Sequence, residues 1–369
     1  MRILIMGNND QSGGGLIVHY IALVNYLKNA GFNMICIDVN DNMNKIFLDN
    51  SISEITVPYK PKSLMQKVTK YIQLRRAVSM AKKFKPDVFI ATALGYGYAM
   101  VAEGLPKDTY KIFQEVHFEA TADVLRMKMV KCFDAVAVQT NGMRMPFLKN
   151  VSSLKPVAAL PCFAKQFATA GFEKIPSVQK EIRLAYFGRL AWNKGLKQFI
   201  QAAHEIFTNN PDLIFDIYGS GPEKDSILEE IKIRKVQNQI RLKGFYNDDE
   251  FAALLNCCHG IIIPSIDTEG LPLVLIETMR FGRPAFVTTT GAMPEVASFN
   301  TEGMIVSEKD NVSLKKNLSI FINRIRQSKF DASYIHAVYK EHFSNEVFLQ
   351  TWLSMLEDPR NYFTKTPLL

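Results

Sequence analysis

Along this 369-residue chain, short apolar runs of strand length alternate with stretches whose apolar residues return every three or four positions. The start reads as a strand over residues 2–6, a loop rich in Gly and Asn, and a helix over 16–29 that Gly31 ends. FNMICIDV follows as a second strand. A basic helical stretch over 63–84 leads through Lys85-Pro86-Asp87 into the strand VFIAT, and YKIFQEVHF and DAVAVQT are the next strand candidates. The second half keeps the same rhythm more cleanly. IRLAYFG, LIFDIYG, IRLKG and GIIIPS read as strands, separated by LKQFIQAAHEIF, EKDSILEEIKIRK and DEFAALLNCC as helices. Such alternation predicts an α/β chain with doubly wound parallel sheets. AKQFATAGFEKIPSVQK lacks periodicity and carries Gly and Pro, so it reads as the linker. From residue 345 on, Phe348, Trp352, Leu353 and Leu356 fall at helical spacing and predict a closing helix.

Length and composition agree with two globular domains: 47% of residues are hydrophobic and 22% charged. No stretch approaches the ~20 apolar residues a spanning helix needs, and MRILIMGNND lacks the apolar run and cleavage site of a signal peptide. Cys36, Cys132, Cys162, Cys257 and Cys258 show no Cys-x-x-Cys and no metal spacing. They read as buried free thiols of a cytosolic protein. The net charge of +8 asks for an acidic partner, and nucleic acid, an anionic membrane and phosphorylated small molecules all qualify.

Candidate chemistry narrows that choice. In PSIDTEGLPLVLIETMRFGRP a strand ends at Pro264-Ser265, a loop carries Glu269-Gly270, and Pro272 stands where a helix begins. The backbone of Gly270, Leu271, Pro272 and Leu273 then lies near a helix N-terminus, which favours an anion. Glu277, about one and a half turns into that helix, suits a vicinal diol such as a ribose, and Glu269 is free to meet a second polyol. In GRLAWNKG, Arg189 directly follows a strand and Lys194 precedes a helix, the position at which open α/β sheets bind ligands. Gly13-Gly14-Gly15 after the first strand would let backbone approach a ligand, though it is neither a dinucleotide fingerprint nor a Walker loop. Gly219-Ser220-Gly221-Pro222 reads as a tight turn near a nucleotide. His117, in QEVHFEA, is a candidate for function, whereas His19 and His204 sit inside helical patterns and read as structural. Asp248 and Asp249 read as loop and helix-cap residues, and no metal site is expected.

At these residues the chain resembles the retaining, GT-B-fold glycosyltransferases of glycosyltransferase family four. FGRLAWNKG, YGSGP, RLKGF, PSIDTEGLPLVLIE and GRPAFVTTTGAMPE, between residues 182 and 297, carry the resemblance in order and spacing. The first half matches through its Gly-rich loop, KPDVFIAT and the His of EVHF. The resemblance implies two Rossmann-like domains facing a cleft: 1–165 for the acceptor, 175–344 for the nucleotide-sugar donor, and 345–369 as a C-terminal helix packing back on the first. It implies that Arg189 and Lys194 neutralise the donor diphosphate, that Glu277 holds the ribose, and that Glu269 with the backbone of residues 270–273 holds the transferred sugar and diphosphate. Gly14 and Gly15 would approach the diphosphate, and His117 would touch the donor sugar. Ala292 departs from the family, which often has a second glycine there. Since cations serve the phosphates, neither a divalent ion nor a cofactor is expected, and no protein nucleophile is evident.

The expected reaction is transfer from a nucleotide-sugar, foremost a UDP-sugar, to a glycan or lipid-linked acceptor of bacterial cell-surface polysaccharide or lipopolysaccharide synthesis. A sugar-nucleotide epimerase of the same fold is the alternative. A nicotinamide-dependent oxidoreductase would need the glycine fingerprint that is missing, and the complete motif set weighs against a non-catalytic binding subunit. No nucleic-acid partner is expected. Residues 60–85 are basic without one Asp or Glu, which reads either as a solvated helix face or as attachment to an anionic membrane surface. The expected location is the cytoplasm, peripheral on the inner face of the membrane.

Overall fold

A computed structural model describes residues 1–8, 15–39, 53–57, 63–115, 128–144, 147–148, 155–165, 172–267 and 269–365. The chain divides into two compact units, one of Met1–Lys165 with Phe348–Leu369 and one of Gln166–Val347.

The first unit is built on a seven-stranded sheet. Its strands are β1 (Arg2–Asn8), β2 (Asn33–Val39), β3 (Ser53–Val57), β4 (Val88–Ala91), β5 (Tyr110–Glu115), β6 (Ala135–Val138) and β7 (Val157–Ala159). All neighbours run parallel, in the order β3-β2-β1-β4-β5-β6-β7. Strands covered on both faces need side chains apolar on both, which is why β4, VFIA, is buried throughout. Helix α1 (Gly15–Asn29) buries Tyr20, Leu23, Val24 and Leu27, one stripe at helical spacing. The Tyr20 ring lies flat on Gly7: a Cβ there would sit 2.2 Å from a ring carbon. Helix α2 (Leu64–Phe84) starts at a capping box in which Ser63 Oγ accepts from Gln66 N and Gln66 Oε1 accepts from Ser63 N, both at 3.2 Å. It ends at Lys85, whose left-handed φ of 51° precedes Pro86. Helix α3 (Tyr96–Gly104) follows β4.

The second unit is a six-stranded parallel sheet in the order β10-β9-β8-β11-β12-β13. Its chain runs β8 (Ile182–Phe187), α4 (Leu196–Asn209), β9 (Leu213–Tyr218), α5 (Lys224–Ile233), β10 (Ile240–Gly244), α6 (Asp248–Cys257) and β11 (Gly260–Ile263). It continues through α7 (Leu273–Arg280), β12 (Ala285–Thr288), α8 (Met293–Phe299), β13 (Met304–Ser307), α9 (Asn311–Arg326) and α10 (Ala332–Val338). Phe199, Phe207, Phe215, Phe286 and Phe321 fill its core, with the Phe199 and Phe215 rings 5.5 Å apart. Asp248 and Asp249 do not cap α6. Asn247 does, its side chain accepting from Glu250 N at 2.9 Å, so the two aspartates fall in the first turn.

Helices α11 (Asn345–Glu357) and α12 (Pro359–Lys365) supply the first unit with Trp352, which is fully buried and donates from Nε1 to Pro161 O at 2.9 Å. Tyr362 donates to Ala159 O at 2.9 Å. Cys36, Cys162 and Cys258 are buried free thiols, but Cys132 is half-buried and Cys257, the last residue of α6, is exposed. Among the described residues no helix is long and apolar enough to cross a membrane.

Candidate functional site

In both sheets the strand order reverses beside the first strand, at β1/β4 and at β8/β11. Connections leave such a switch point in opposite directions, so a crevice opens beyond the carboxyl ends of the two strands. In the second unit the loops that flank this point are residues 188–195 after β8 and 264–272 after β11. They hold most of the residues expected to carry chemistry.

The two loops are fastened to each other through backbone. A single turn of 3-10 helix, Trp192–Lys194, ends at Gly195 with φ 68°. A Cβ on Gly195 would lie 2.1 Å from Pro264 O, so only glycine lets the loops close this far. Ile266 N donates to Asn193 O at 2.9 Å. From this platform Lys194 Nζ reaches Glu269 Oε1 at 2.8 Å and Oε2 at 2.6 Å. The buried Glu269 also accepts from Ser265 Oγ at 2.8 Å. Ser265 is itself held, for its carbonyl accepts from Thr290 Oγ1 at 2.7 Å and from Thr288 Oγ1. Lys194 and Glu269, expected on different parts of a ligand, thus form one partly buried ion pair. An ammonium has three protons, and two of them point at the carboxylate.

Arg189 lies on the same loop, exposed, and its guanidinium has no partner among the described residues. Its backbone is fixed instead: Tyr186 Oη donates to Arg189 O at 2.8 Å, and Leu190 N donates to Ser220 O at 2.8 Å. Burial, and then the negative charge of Glu269, push the Tyr186 hydroxyl well above its ordinary pKa, so it stays a donor. The GSG turn packs here without side chains, since a Cβ on Gly219 would fall 1.8 Å from Gly188 O and one on Gly221 2.2 Å from Leu190 O.

Helix α7 begins at Leu273 with Pro272 as its cap residue, and no side chain caps it. Its positive end therefore faces the loop without a capping side chain, and Pro272 contributes no N–H. Gly270 and Leu271 are buried beside Glu269. Glu277 is half-buried on α7, four residues past Leu273. Gly291, at φ 57°, braces this corner, because a Cβ would stand 2.0 Å from Glu269 O and 2.7 Å from Gly270 O. The next residue, the buried Ala292, donates its N–H to Gly270 O at 3.1 Å.

The second unit thus gathers Arg189, Lys194, Glu269, the 270–273 backbone and Glu277 on two loops and one helix. Gly15 opens α1 in the first unit and is exposed, while Gly14 and His117 lie outside the described residues. Ser265, Thr288, Thr290, Tyr186 and Gly291 were not anticipated as supports of the site. Their signal in the sequence is only proximity to motif residues, in PSIDTEG, VTTTGAMPE and AYFGR. No group of three or more His, Cys, Asp and Glu able to hold a metal occurs among the described residues. His19, expected to be structural, is fully buried, and its Nδ1 accepts Phe163 N at 3.1 Å. That places its proton on Nε2, 2.7 Å from Gln114 Oε1. Burial lowers its pKa to about 4.

Residues 169–334 match the family model of the glycosyl transferases group 1. The chain is similar to a protein of Escherichia coli (strain K12) named as a colanic acid biosynthesis glycosyltransferase, WcaL, at 26% identity over 196 residues, 50% of this chain and 46% of that one. The chain therefore spans about half the length of the curated relatives it matches. Among solved structures, sucrose-phosphate synthase from Thermosynechococcus elongatus superposes with a TM-score of 0.77 at 14% identity, covering 97% of this chain and 99% of the other. Anabaena HepE in complex with UDP gives a TM-score of 0.72 at 15% identity over 97% and 100%. The two parallel-sheet domains are thus those of the GT-B fold, and residues 169–334 of the second carry the match to the glycosyl transferases group 1.

Proposed function

We propose that this protein is a retaining glycosyltransferase that moves a sugar from a UDP-sugar to a glycan or lipid-linked acceptor of a bacterial cell-surface polysaccharide, at the inner face of the cytoplasmic membrane. The observation that carries the reading is the exposed Arg189 guanidinium, without a partner among the described residues, on the same loop as Lys194 of the Lys194–Glu269 pair and in the unit whose α7 no side chain caps. A diphosphate supplies what this corner lacks. Arg189 grips it in two places, Lys194 adds its charge beside it, and the positive end of α7 completes the cradle. Glu277, further along α7, accepts the hydroxyls of the ribose, and Glu269 those of the sugar. Gly14, Gly15 and His117 are assigned to the diphosphate and sugar through the resemblance alone.

In the reaction, the bond from the anomeric carbon to the β-phosphate oxygen breaks and the acceptor oxygen bonds to the same carbon on the same face. The acceptor's proton passes to the departing phosphate. Charge grows on that phosphate as the bond breaks, so a fixed Arg189 and Lys194 stabilise the transition state more than the ground state. The UDP seen in the HepE complex and the polysaccharide role in WcaL's name support this choice of donor and pathway class.

The purified chain is to be incubated with a panel of UDP-sugars, with and without glycan and polyprenyl-phosphate-linked acceptors, and followed by NMR. Product with the donor's anomeric configuration, lost in Arg189→Ala, is expected. Conversion of a UDP-sugar to its epimer without acceptor would establish the isomerase instead.

A further inference from the structure

Helix α2 is polarised along its axis rather than around it. Leu74, Ala77 and Ala81 face the core, and the small alanines seat the helix closely. The opposite, outward face has two halves. In the first, Leu64, Met65, Val68, Tyr71 and Ile72 are between 46% and 80% exposed, which is far beyond a stray surface leucine. In the second, over the same width of face, stand Arg75, Arg76, Lys82 and Lys83, with no acidic residue anywhere in the helix. Each half runs about 12 Å at 1.5 Å per residue. Arg75 marks the border, its guanidinium 6.0 Å from the Tyr71 ring centroid. Along the basic half, Ile35, Arg76, Ser79, Met80, Lys83 and Phe84 line an open groove of about 530 Å³. Its lining combines the apolar Ile35, Met80 and Phe84 with the cations Arg76 and Lys83.

We infer that α2 docks the protein on an anionic lipid surface end-on: its N-terminal half enters the acyl boundary and its C-terminal half lies on the headgroups. An amphipathic helix that lies flat needs apolar and charged residues on opposite faces, and α2 has both on one face, one after the other. The capping box fits the same orientation, because Ser63 and Gln66 satisfy each other's backbone N–H at the end that leaves water. An acidic protein or nucleic acid would pair with the cations and leave the five apolar side chains in water. The inference rests on the membrane-face reading above but not on the transfer reaction.

The test uses the full chain with sedimented vesicles of phosphatidylcholine alone or mixed with phosphatidylglycerol. The chain is expected to bind the anionic vesicles and to be released by salt. Each near-surface cation is worth about fivefold in partitioning, so Arg76→Gln with Lys83→Gln should weaken binding roughly 20-fold. Leu64→Ser with Met65→Ser should weaken it by roughly tenfold or more. Leu64→Trp should shift its emission to the blue on these vesicles and Lys82→Trp should not. All these positions are exposed, and circular dichroism together with UDP-induced stabilisation serves as the folding control. Unchanged binding in either double variant, or binding to DNA without binding to vesicles, overturns the inference. A blue shift at both tryptophans overturns the end-on geometry. Vesicle binding in a chain that transfers no sugar would overturn the proposed function and leave this inference standing.

Discussion

Gly291 shows how a residue without a side chain shapes the site. Its φ of 57° and the 2.0 Å left between an added Cβ and Glu269 O mean that Gly291→Ala must displace the loop carrying Glu269. Transfer by that variant should fall at least tenfold while its melting temperature drops by only a few degrees, measured by kinetics beside calorimetry. Arg189 presents the opposite case. Exposed and without a side-chain partner among the described residues, it contributes little to folding. Arg189→Ala should therefore lower the transfer rate by roughly 10²–10³-fold with the melting temperature unchanged. Both residues stand within motifs the sequence displays, GRLAWNKG and TTTGAMPE. Only Arg189 was legible as chemistry, because a cation after a strand announces a purpose. The need for glycine at 291 exists only once the carbonyls of residues 269 and 270 are in place.

Among elements, α6 and α7 depend on a buried cation. Arg283 is fully buried and donates to Leu255 O at 2.8 Å, Asn256 O at 3.3 Å, Asn256 Oδ1 at 3.2 Å and Glu173 O at 2.8 Å. Two of these carbonyls belong to the last turn of α6, where the helix dipole favours positive charge. Burial pulls the Arg283 pKa down from its ordinary value, without depriving so basic a group of its charge near neutrality. Arg283→Met keeps volume but leaves buried carbonyls unpaired, and it should cost about 3 kcal/mol in urea unfolding. The helices of the first half up to residue 84, those between β8 and β11, and the strands that frame the motifs were legible from periodicity. Strands β3, β7, β12 and β13 and helices α3, α8, α9 and α10 carried no expectation; all but α9 are runs of three to nine residues, which offer too little period to separate strand, helix and loop.

At the scale of the molecule the two units respond to different variables. His19 joins α1, β5 and Phe163 and stacks near Trp352, with centroids 5.8 Å from Phe163 and 5.9 Å from Trp352. Its pKa is about 4 when folded against an ordinary 6.5 for histidine, so the unfolded chain binds the proton first as pH falls. The stability this residue lends is complete above 6.5 and is lost progressively down to about 4, on the order of 3 kcal/mol. His19→Gln should flatten that slope in melts recorded across the window. On the proposed function, UDP binds the other unit. At a concentration 100 times its dissociation constant it should add roughly 2.7 kcal/mol, so the transition it raises in calorimetry should not be the acid-sensitive one.

Local chemistry determined what the sequence alone reveals: alternating strand and helix, the breaks at Gly and Pro, the loops that carry Arg189, Lys194 and Glu269, and the helix that carries Glu277. Periodicity and turn preference act over a few residues, so they are written where they operate. The order of the strands is a different matter. Apolar runs such as LAYF and GIII are interchangeable as text, and only packing put β8 beside β11. That choice brought Lys194 and Glu269, 75 positions apart, to 2.6 Å, and set Ser265 and two threonines behind them. It also decided which face of α2 is covered, and so left five apolar side chains facing water. Pairing between distant strands and burial against them are non-local terms, and they exist only in the folded chain.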